Sequence, residues 1–532
     1  MKRMLLLGDE ALAQGAIDAG LSGVYAYPGT PSTEITEYIQ KAPDARARGV
    51  HAQWSANEKT AMESALGMSY AGKRAMACMK HVGLNVAADG FINAGITGAN
   101  GGLIVVSADD PSMHSSQNEQ DSRYYGKFAL IPMLEPANQQ DAYDAMHHGY
   151  DLSERYGTPV LLRITTRLAH SRAGVNTRDV RAQNELRLPE NRRQFVLLPA
   201  IARKNYDALL AKQAAFEEES EHSPFNVYED GADTSLGIIA AGLGYNYLME
   251  NFPNGCPHPV LRIGQYPLPK NMIRRILASC ERVLVLEDGA PFIEEQLRGL
   301  LDASFAIAGR LDGTVPRAGE LNPVIVAKAV GAFVAPTLPM ADAVVARPPE
   351  LCKGCPHINS FEALNESLIE VGDGRVFSDI GCYTLGALEP FNAINSCVDM
   401  GASITMAKGA ADAGLVPAVA VIGDSTFTHS GMTGLLDAVI EDAPITVVIV
   451  DNGTTGMTGG QESSARGRLE DIVSGLGVHP DHLHVLEPIK KHHDENVRVI
   501  KEELAYKGLS VIIERRECIQ TAAVSRKEGK TA

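Results

Sequence analysis

"GDSTFTHSG" spans Gly423–Gly431 and directly follows the apolar run "LVPAVAVI" at 415–422. An aspartate immediately after a strand-ending glycine is a poor continuation of a buried strand. It is a good ligand at the carboxyl end of one, where open parallel sheets bind their ligands. A second apolar run, "APITVVIV" at 443–450, ends in "DNGTTGMTGG", which places Asn452 at a comparable strand end. Residues 426–451 leave room for one helix and one strand, the crossover that brings two parallel strand ends side by side. A carboxylate, an amide oxygen and a backbone carbonyl suit Mg²⁺, and the remaining ligands of that cation are commonly phosphate oxygens. Backbone N–H groups around Gly423 and Ser425 would meet such phosphates at a helix start. The competing reading is two ordinary strand-to-helix turns with capping Asp and Asn.

The rest of the chain repeats the strand–helix alternation. "GVYAYPGTPS" at 23–32, "GGLIVVSADDP" at 101–111 and "TPVLLRITTR" at 158–167 are apolar runs closed by turn residues, and "NEKTAMESALGMSYAG" at 57–72 has helical spacing. The pattern predicts an α/β protein built of three doubly wound parallel-sheet domains. The expected units are 1–187, 234–335 and 351–520, with a helical and polar linker at 188–233, a proline-rich linker at 336–350 and a tail at 521–532. The 532 residues allow about three domains. A net charge of −17 argues against nucleic acid and anionic membranes as partners. No apolar run approaches the ~20 residues of a membrane span, and "MKRMLLLGDE" is too short in its apolar part for a secretion signal. A cytoplasmic location is expected.

Eight cysteines are too few for a disulfide scaffold. Cys352 and Cys355 form C-x-x-C, which alone fits a zinc half-site, a redox dithiol or coincidence. Cys382 lies in a turn after a strand, and Cys518 follows the last strand. Cys78, Cys256, Cys280 and Cys397 stand alone and are expected to be packing residues.

Gly-Asp-Ser followed at this interval by Asp451-Asn452 resembles the diphosphate motif of thiamine-diphosphate enzymes, with Ser425 where glycine is usual and Asp451 where asparagine is usual. The resemblance implies that Asp424, Asn452 and the Thr454 carbonyl hold Mg²⁺, with Gly423 and Ser425 beside the diphosphate. Such enzymes also need a glutamate on the aminopyrimidine ring, doing acid–base work through the cofactor. Glu58, at the start of an apolar helix, fits that role, although a helix's first turn also favours acids for electrostatic reasons.

The similarity goes further. "YAYPGTPSTEI", "NEKTAMESALGMSYAG", "MKHVGLNVAAD", "DDPSMHSSQNEQDSRYYGKFALIPMLEP", "LCKGCPH", "DIGCYTLGALEP" and "DNGTTGMTGGQ" occur in the order found in the large subunits of indolepyruvate:ferredoxin oxidoreductases, within the 2-oxoacid:ferredoxin oxidoreductases. The resemblance covers nearly the whole chain. It implies a pyrimidine-binding unit (1–187), a transketolase-C-like unit (234–335) and a diphosphate-binding unit (351–520). The implied reaction is decarboxylation of an aryl 2-oxoacid, with electrons passed to iron–sulfur centres and an acyl-CoA formed. A smaller partner subunit, a ferredoxin or other electron carrier, and a dimer of large subunits are implied with it. Thr30 of "YPGTP" would face the substrate, and His81 of "KHVGLN" would meet its carboxylate or a developing oxyanion. Residues 109–125 would form part of the cleft wall or a plain surface loop. Gly381 and Cys382 would line the cofactor site. Cys352, Cys355, Cys382 and Cys518 would hold one 4Fe–4S cluster, where a zinc site or free thiols are the alternatives.

One departure stands out. The family's large subunit usually carries a ferredoxin-like domain with two cysteine-rich motifs, and this sequence, which ends in "SRKEGKTA", contains neither motif. Two expectations follow: electrons leave through the single cluster to a partner chain, or the chain is not a ferredoxin reducer. The rival functions are a non-redox thiamine-dependent decarboxylase or carboligase and a non-catalytic scaffold subunit.

Overall fold

The chain is described by a computed structural model covering residues 2–191, 194–195, 197, 199–300, 306–316, 319–334, 336, 339–345, 350–372, 375–397, 400–412 and 415–527. Two compact units divide it, 1–338 and 339–532. Parts of the expected linker at 336–350 and the end of the expected tail lie outside the described residues, as does the Cys397 side chain.

Seven strands form the first sheet of the amino-terminal unit. Five of them, Val160–Thr165, Leu103–Asp109, Ala75–Lys80, Gly23–Ala26 and the edge strand His51–Trp54, are parallel neighbours in that order. Leu103–Asp109 and Val160–Thr165 are buried throughout, as continuous apolar runs covered on both faces must be. A five-stranded sheet in the same unit is built around the parallel strands Gly237–Ala241, Val260–Ile263 and Val283–Leu286.

The segment read as a helical and polar linker holds its helix at Pro199–Glu221 and, beyond that reading, a strand, Val227–Glu229, that pairs antiparallel with Val260–Ile263. Conversely, Gln265–Tyr266 leaves the second sheet's sequence region and pairs with Met133–Leu134 of the first. Two- and three-residue edge strands have too little periodicity to be read from sequence.

Where the two sheets of this unit meet, charge is buried. Arg163 Nε donates to Asp109 Oδ2 at 2.6 Å, and its guanidinium also bonds Glu135. Arg123, fully buried, pairs with Asp121 and reaches Glu287 at 2.9 Å. Tyr266 donates to Glu135 at 2.5 Å.

The carboxyl-terminal unit has one six-stranded sheet in the order Ser396–Cys397, Val376–Ser378, Ala418–Gly423, Ile445–Asp451, Ser510–Arg515 and Leu483–Leu486. Every pairing is parallel. All strands therefore present their carboxyl ends on one edge. Cys78 and Cys280 are packed in the cores of the first unit.

Candidate functional site

Four adjacent strands of the carboxyl-terminal unit end in the residues singled out by sequence. After Val376–Ser378 the chain turns through Gly381 into a short 3₁₀ helix at Cys382–Ala387. After Ala418–Gly423 it enters a helix at Asp424. Ile445–Asp451 delivers Asn452, and Ser510–Arg515 delivers Cys518 three residues on. The two glycines have a common cause. A Cβ on Gly381 would come within 2.3 Å of the Tyr383 ring, and one on Gly423 within 2.6 Å. Tyr383 lies across both strand ends and donates to Thr426 Oγ1 at 3.2 Å.

Asp424 is 2% exposed, and its Oδ2 has no hydrogen-bond partner. Burial pushes its carboxyl up to about 7, and the nearby Asp451 adds to the effect. A buried carboxylate without a cation is costly, and the cost is met by taking up a proton or a metal ion. Asn452 is equally buried. Its Oδ1 accepts from Thr454 N–H at 3.0 Å, and its Nδ2 faces His357 Nε2 at 3.3 Å. Cys518 N–H donates to the Asn452 carbonyl at 3.1 Å. A cleft of ≈ 570 Å³ opens beside these residues, lined by Asn452, Gly453, Thr454, Arg466 and Arg515 among others.

Both departures from the usual motif acquire a structural reason. Asp451 turns its carboxylate to Arg515, whose Nε donates at 2.7 Å, so the extra charge is neutralised away from Asn452. Ser425 Oγ lies 2.7 Å from Thr455 Oγ1, tying the two strand-end loops together.

The cysteines converge on the same edge. Burial pushes the Cys382 thiol up to about 12, and its charged form is further opposed by Cys355, Cys518 and Asp424. Cys355 is pushed up to about 11, again by burial first, with Cys352 and Cys518 as neighbours. The Cys355 N–H donates to the Cys352 carbonyl at 2.9 Å, closing the C-x-x-C turn. No three of the four thiols approach within 4.8 Å of one another, the closeness that a single ion asks of its ligands.

Sequence reasoning missed His357. The ring is 2% exposed and held neutral, pushed down to about 4 by burial. Its Nε2 lies 3.4 Å from Cys382 Sγ as well as facing the Asn452 amide. It packs against the Asn452 amide, whose Oδ1 is taken by Thr454 N–H. Its only sequence signal was its place two residues after the C-x-x-C pair.

In the amino-terminal unit, Thr30, Glu58 and His81 follow the three neighbouring strands Gly23–Ala26, His51–Trp54 and Ala75–Lys80. Glu58 opens the helix Glu58–Tyr70, capped by the Asn57 side chain on Thr60 N–H at 2.9 Å. It is 5% exposed, and a Cβ on Gly83 would come within 2.6 Å of its Oε1. The glycine of "KHVGLN" is thus what lets that helix close over the carboxylate. His81 is buried, with Nε2 at 3.3 Å from both the Asn118 carbonyl and its Oδ1, and Nδ1 unbonded. Thr30 is half-buried. Lys80, which sequence reasoning did not single out, stands beside Glu58 and Asp110 and donates to the Ser115 carbonyl at 3.1 Å. Of the stretch 109–125, Asp109, Asp110, Asp121, Ser122 and Arg123 at its two ends are buried, while Met113 in its middle is exposed.

Residues 379–513 match the family of the thiamine pyrophosphate enzyme C-terminal TPP-binding domain. Residues 14–225 match the thiamine-diphosphate-binding domain of pyruvate flavodoxin/ferredoxin oxidoreductases. Over 99% of this chain, the sequence is 40% identical to indolepyruvate oxidoreductase subunit IorA of Archaeoglobus fulgidus, covering 89% of that protein. The chain belongs to the IorA family. The IorA of Pyrococcus horikoshii is 37% identical, over 99% of this chain and 88% of that one. A solved 2-oxoglutarate:ferredoxin oxidoreductase from Magnetococcus marinus, with 2-oxoglutarate, coenzyme A and succinyl-CoA bound, aligns at TM-score 0.49 and 18% identity over 58% of this chain and 62% of that one. As an IorA-family α/β protein, the chain is a subunit of a thiamine-diphosphate-dependent 2-oxoacid oxidoreductase. Among the described residues no helix is long and apolar enough to cross a membrane.

Proposed function

We propose that this chain carries the decarboxylating centre of a cytoplasmic oxidoreductase that converts an aryl 2-oxoacid of the indolepyruvate type to its acyl-CoA. The balanced reaction takes the oxoacid and CoA thiol to acyl-CoA, CO₂ and a proton, and two electrons pass singly to an iron–sulfur centre and on to a carrier such as ferredoxin. Bound thiamine diphosphate supplies the carbon nucleophile and electron sink for breaking the carboxylate bond. Asp424, Asn452 and the Thr454 carbonyl would hold its Mg²⁺, and the N–H groups at Gly423 and Ser425 would take the diphosphate. Glu58 would hold the proton exchanged with the aminopyrimidine ring, its carboxyl kept from water by the Gly83 contact. His81 and Thr30 would orient the oxoacid. Cys352, Cys355, Cys382 and Cys518 would hold a 4Fe–4S cluster, and the proximity of Cys382 to Asp424 supports a short electron path. A smaller subunit and a second copy of this chain would complete the enzyme. The pyrimidine-binding, transketolase-C-like and diphosphate-binding divisions at 1–187, 234–335 and 351–520 remain part of this reading.

The observation that carries the reading is the buried, unbonded Asp424 oxygen beside Asn452 at neighbouring strand ends. Anaerobic purification with iron and sulfide counting tests the redox half. About four irons per chain that fall to background in Cys382→Ser are expected, together with acceptor-dependent acyl-CoA formation from indolepyruvate. A colourless, iron-free protein that releases aldehyde without an acceptor would move the assignment to non-redox decarboxylation.

A further inference from the structure

A second group of potential ligands lies in the amino-terminal unit, outside the residues assigned above. Asp9 is the second residue of the helix Gly8–Asp18, Glu34 the second of Thr33–Lys41, and His170 directly follows Thr166–Ala169. Gly8 allows the approach, because a Cβ there would lie 2.3 Å from the Leu168 carbonyl oxygen. One carboxylate oxygen of each acid and one ring nitrogen of His170 lie within 4.8 Å of one another. His170 Nε2 is 3.6 Å from Glu34 Oε1.

Acids in first helical turns are common and need no ligand. Asp9 is different, because it does not use that position. It has no exposed surface, and neither carboxylate oxygen has a hydrogen-bond partner. Glu34 Oε2 is buried and unbonded as well. Three ligand-type atoms therefore converge with acceptor capacity to spare. Glu34 also lines an open cleft of ≈ 470 Å³ with Glu10, Glu37, Asp44 and the lysines Lys2 and Lys41.

We propose that Asp9, Glu34 and His170 bind one divalent first-row cation of the Mn²⁺, Fe²⁺ or Zn²⁺ class. One imidazole and two carboxylates suit these ions better than Ca²⁺ or Mg²⁺, which prefer oxygen throughout. Two negative ligands balance the ion's charge and remove the cost of a bare buried carboxylate. Three protein ligands leave a position open, as in metal sites that take water or an oxygen-bearing ligand. Burial pushes the Asp9 carboxyl well above its usual range, with Glu34 and Glu10 adding to the effect, as expected of an acid that waits for a proton or a metal. The site stands on its own residues and does not depend on the thiamine reading.

The competing state is a protonated Asp9 beside a plain His170–Glu34 ion pair. Titration of chelator-stripped protein with Mn²⁺, followed by the paramagnetic resonance of the free ion and by thermal melting, separates the two. It is done without thiamine diphosphate and in an Asp424→Ala background, so that no ion at the other unit is counted. We expect one Mn²⁺ per chain, an affinity loss of about tenfold or more in both Asp9→Asn and His170→Gln, and a melting temperature that rises with Mn²⁺ only when all three ligands are present. Equal Mn²⁺ binding in parent and variants would overturn the site. So would an Asp9→Asn protein that melts at or above the parent while neither responds to Mn²⁺. His170→Gln, at a half-exposed position, keeps the test open if the Asp9 variant does not fold.

Discussion

Two buried polar clusters sit at strand ends, one in each unit, and they handle burial in opposite ways. Around Arg123 and Arg163 the acids come from four chain segments, and nearly every charged group finds a partner: Asp109, Asp121, Glu135 and Glu287 are each bonded to one or both guanidiniums. Asp121 is held down to about 2, because the two arginines outweigh its burial, whereas burial still pushes Glu287 up to about 7 and raises Asp109, whose Oδ1 has no hydrogen-bond partner. Around Asp424 no arginine answers the carboxylate, and burial drives it up to about 7. The thiols beside it are driven up too. Counter-charge separates the two clusters: each acid of the first has a guanidinium beside it, and Asp424 keeps an unbonded buried oxygen.

That contrast can be broken most forcefully at Arg163. Arg163→Met leaves Asp109 buried without its counter-charge and Glu135 with Arg123 alone, and a loss of about 3–5 kcal/mol is expected in urea unfolding. A loss below about 1 kcal/mol would show that the network is not what holds the two sheets of that unit together.

A smaller effect is expected at His357, which touches the unfilled cluster without being one of its ligands. His357→Ala frees the Asn452 amide to turn. Thiamine diphosphate affinity in the presence of Mg²⁺ should fall by about tenfold, with unfolding little changed. An unchanged affinity would remove His357 from the positioning set.

A further test sharpens the comparison through pH. Glu514 is 2% exposed, and burial pushes it up to about 7, with only the Ser360 hydroxyl beside it. Between its unfolded value near 4.5 and about 7 the folded chain binds more protons than the unfolded one. Stability from this group is therefore fully present below pH 4.5 and is lost as pH rises through 7, by on the order of 3 kcal/mol at most. Glu514→Gln should gain on the parent protein as pH rises from 5 to 8. A stability difference that stays flat across that range would contradict the shift.

The buried parallel strands and the strand-end positions of Asp424 and Asn452 were legible because they depend on local pattern: fully apolar runs predict such strands, and these residues are polar where the pattern breaks. Glu58 was legible instead from the apolar helix face that follows it. The buried arginines were not legible. Arg123 lies in a polar stretch, and its partners Glu135 and Glu287 come from elsewhere in the chain, so nothing within a window of sequence marks it as internal. Asp9 escaped for a related reason: an acid just past an apolar run looks like a helix start, and only its full burial in the fold shows that it is sealed from water. His357 had only its neighbouring cysteines to point to it.

The central claim is that the unsatisfied cluster of the carboxyl-terminal unit is a thiamine diphosphate–Mg²⁺ site. Calorimetric titration of the wild type and of Asp424→Ala with thiamine diphosphate, with and without Mg²⁺, addresses it directly. The account predicts Mg²⁺-dependent binding in the wild type and a loss in the variant exceeding the roughly 10–100-fold typical of changes behind a metal's ligands. Wild-type affinity in Asp424→Ala, or binding indifferent to Mg²⁺, would contradict it.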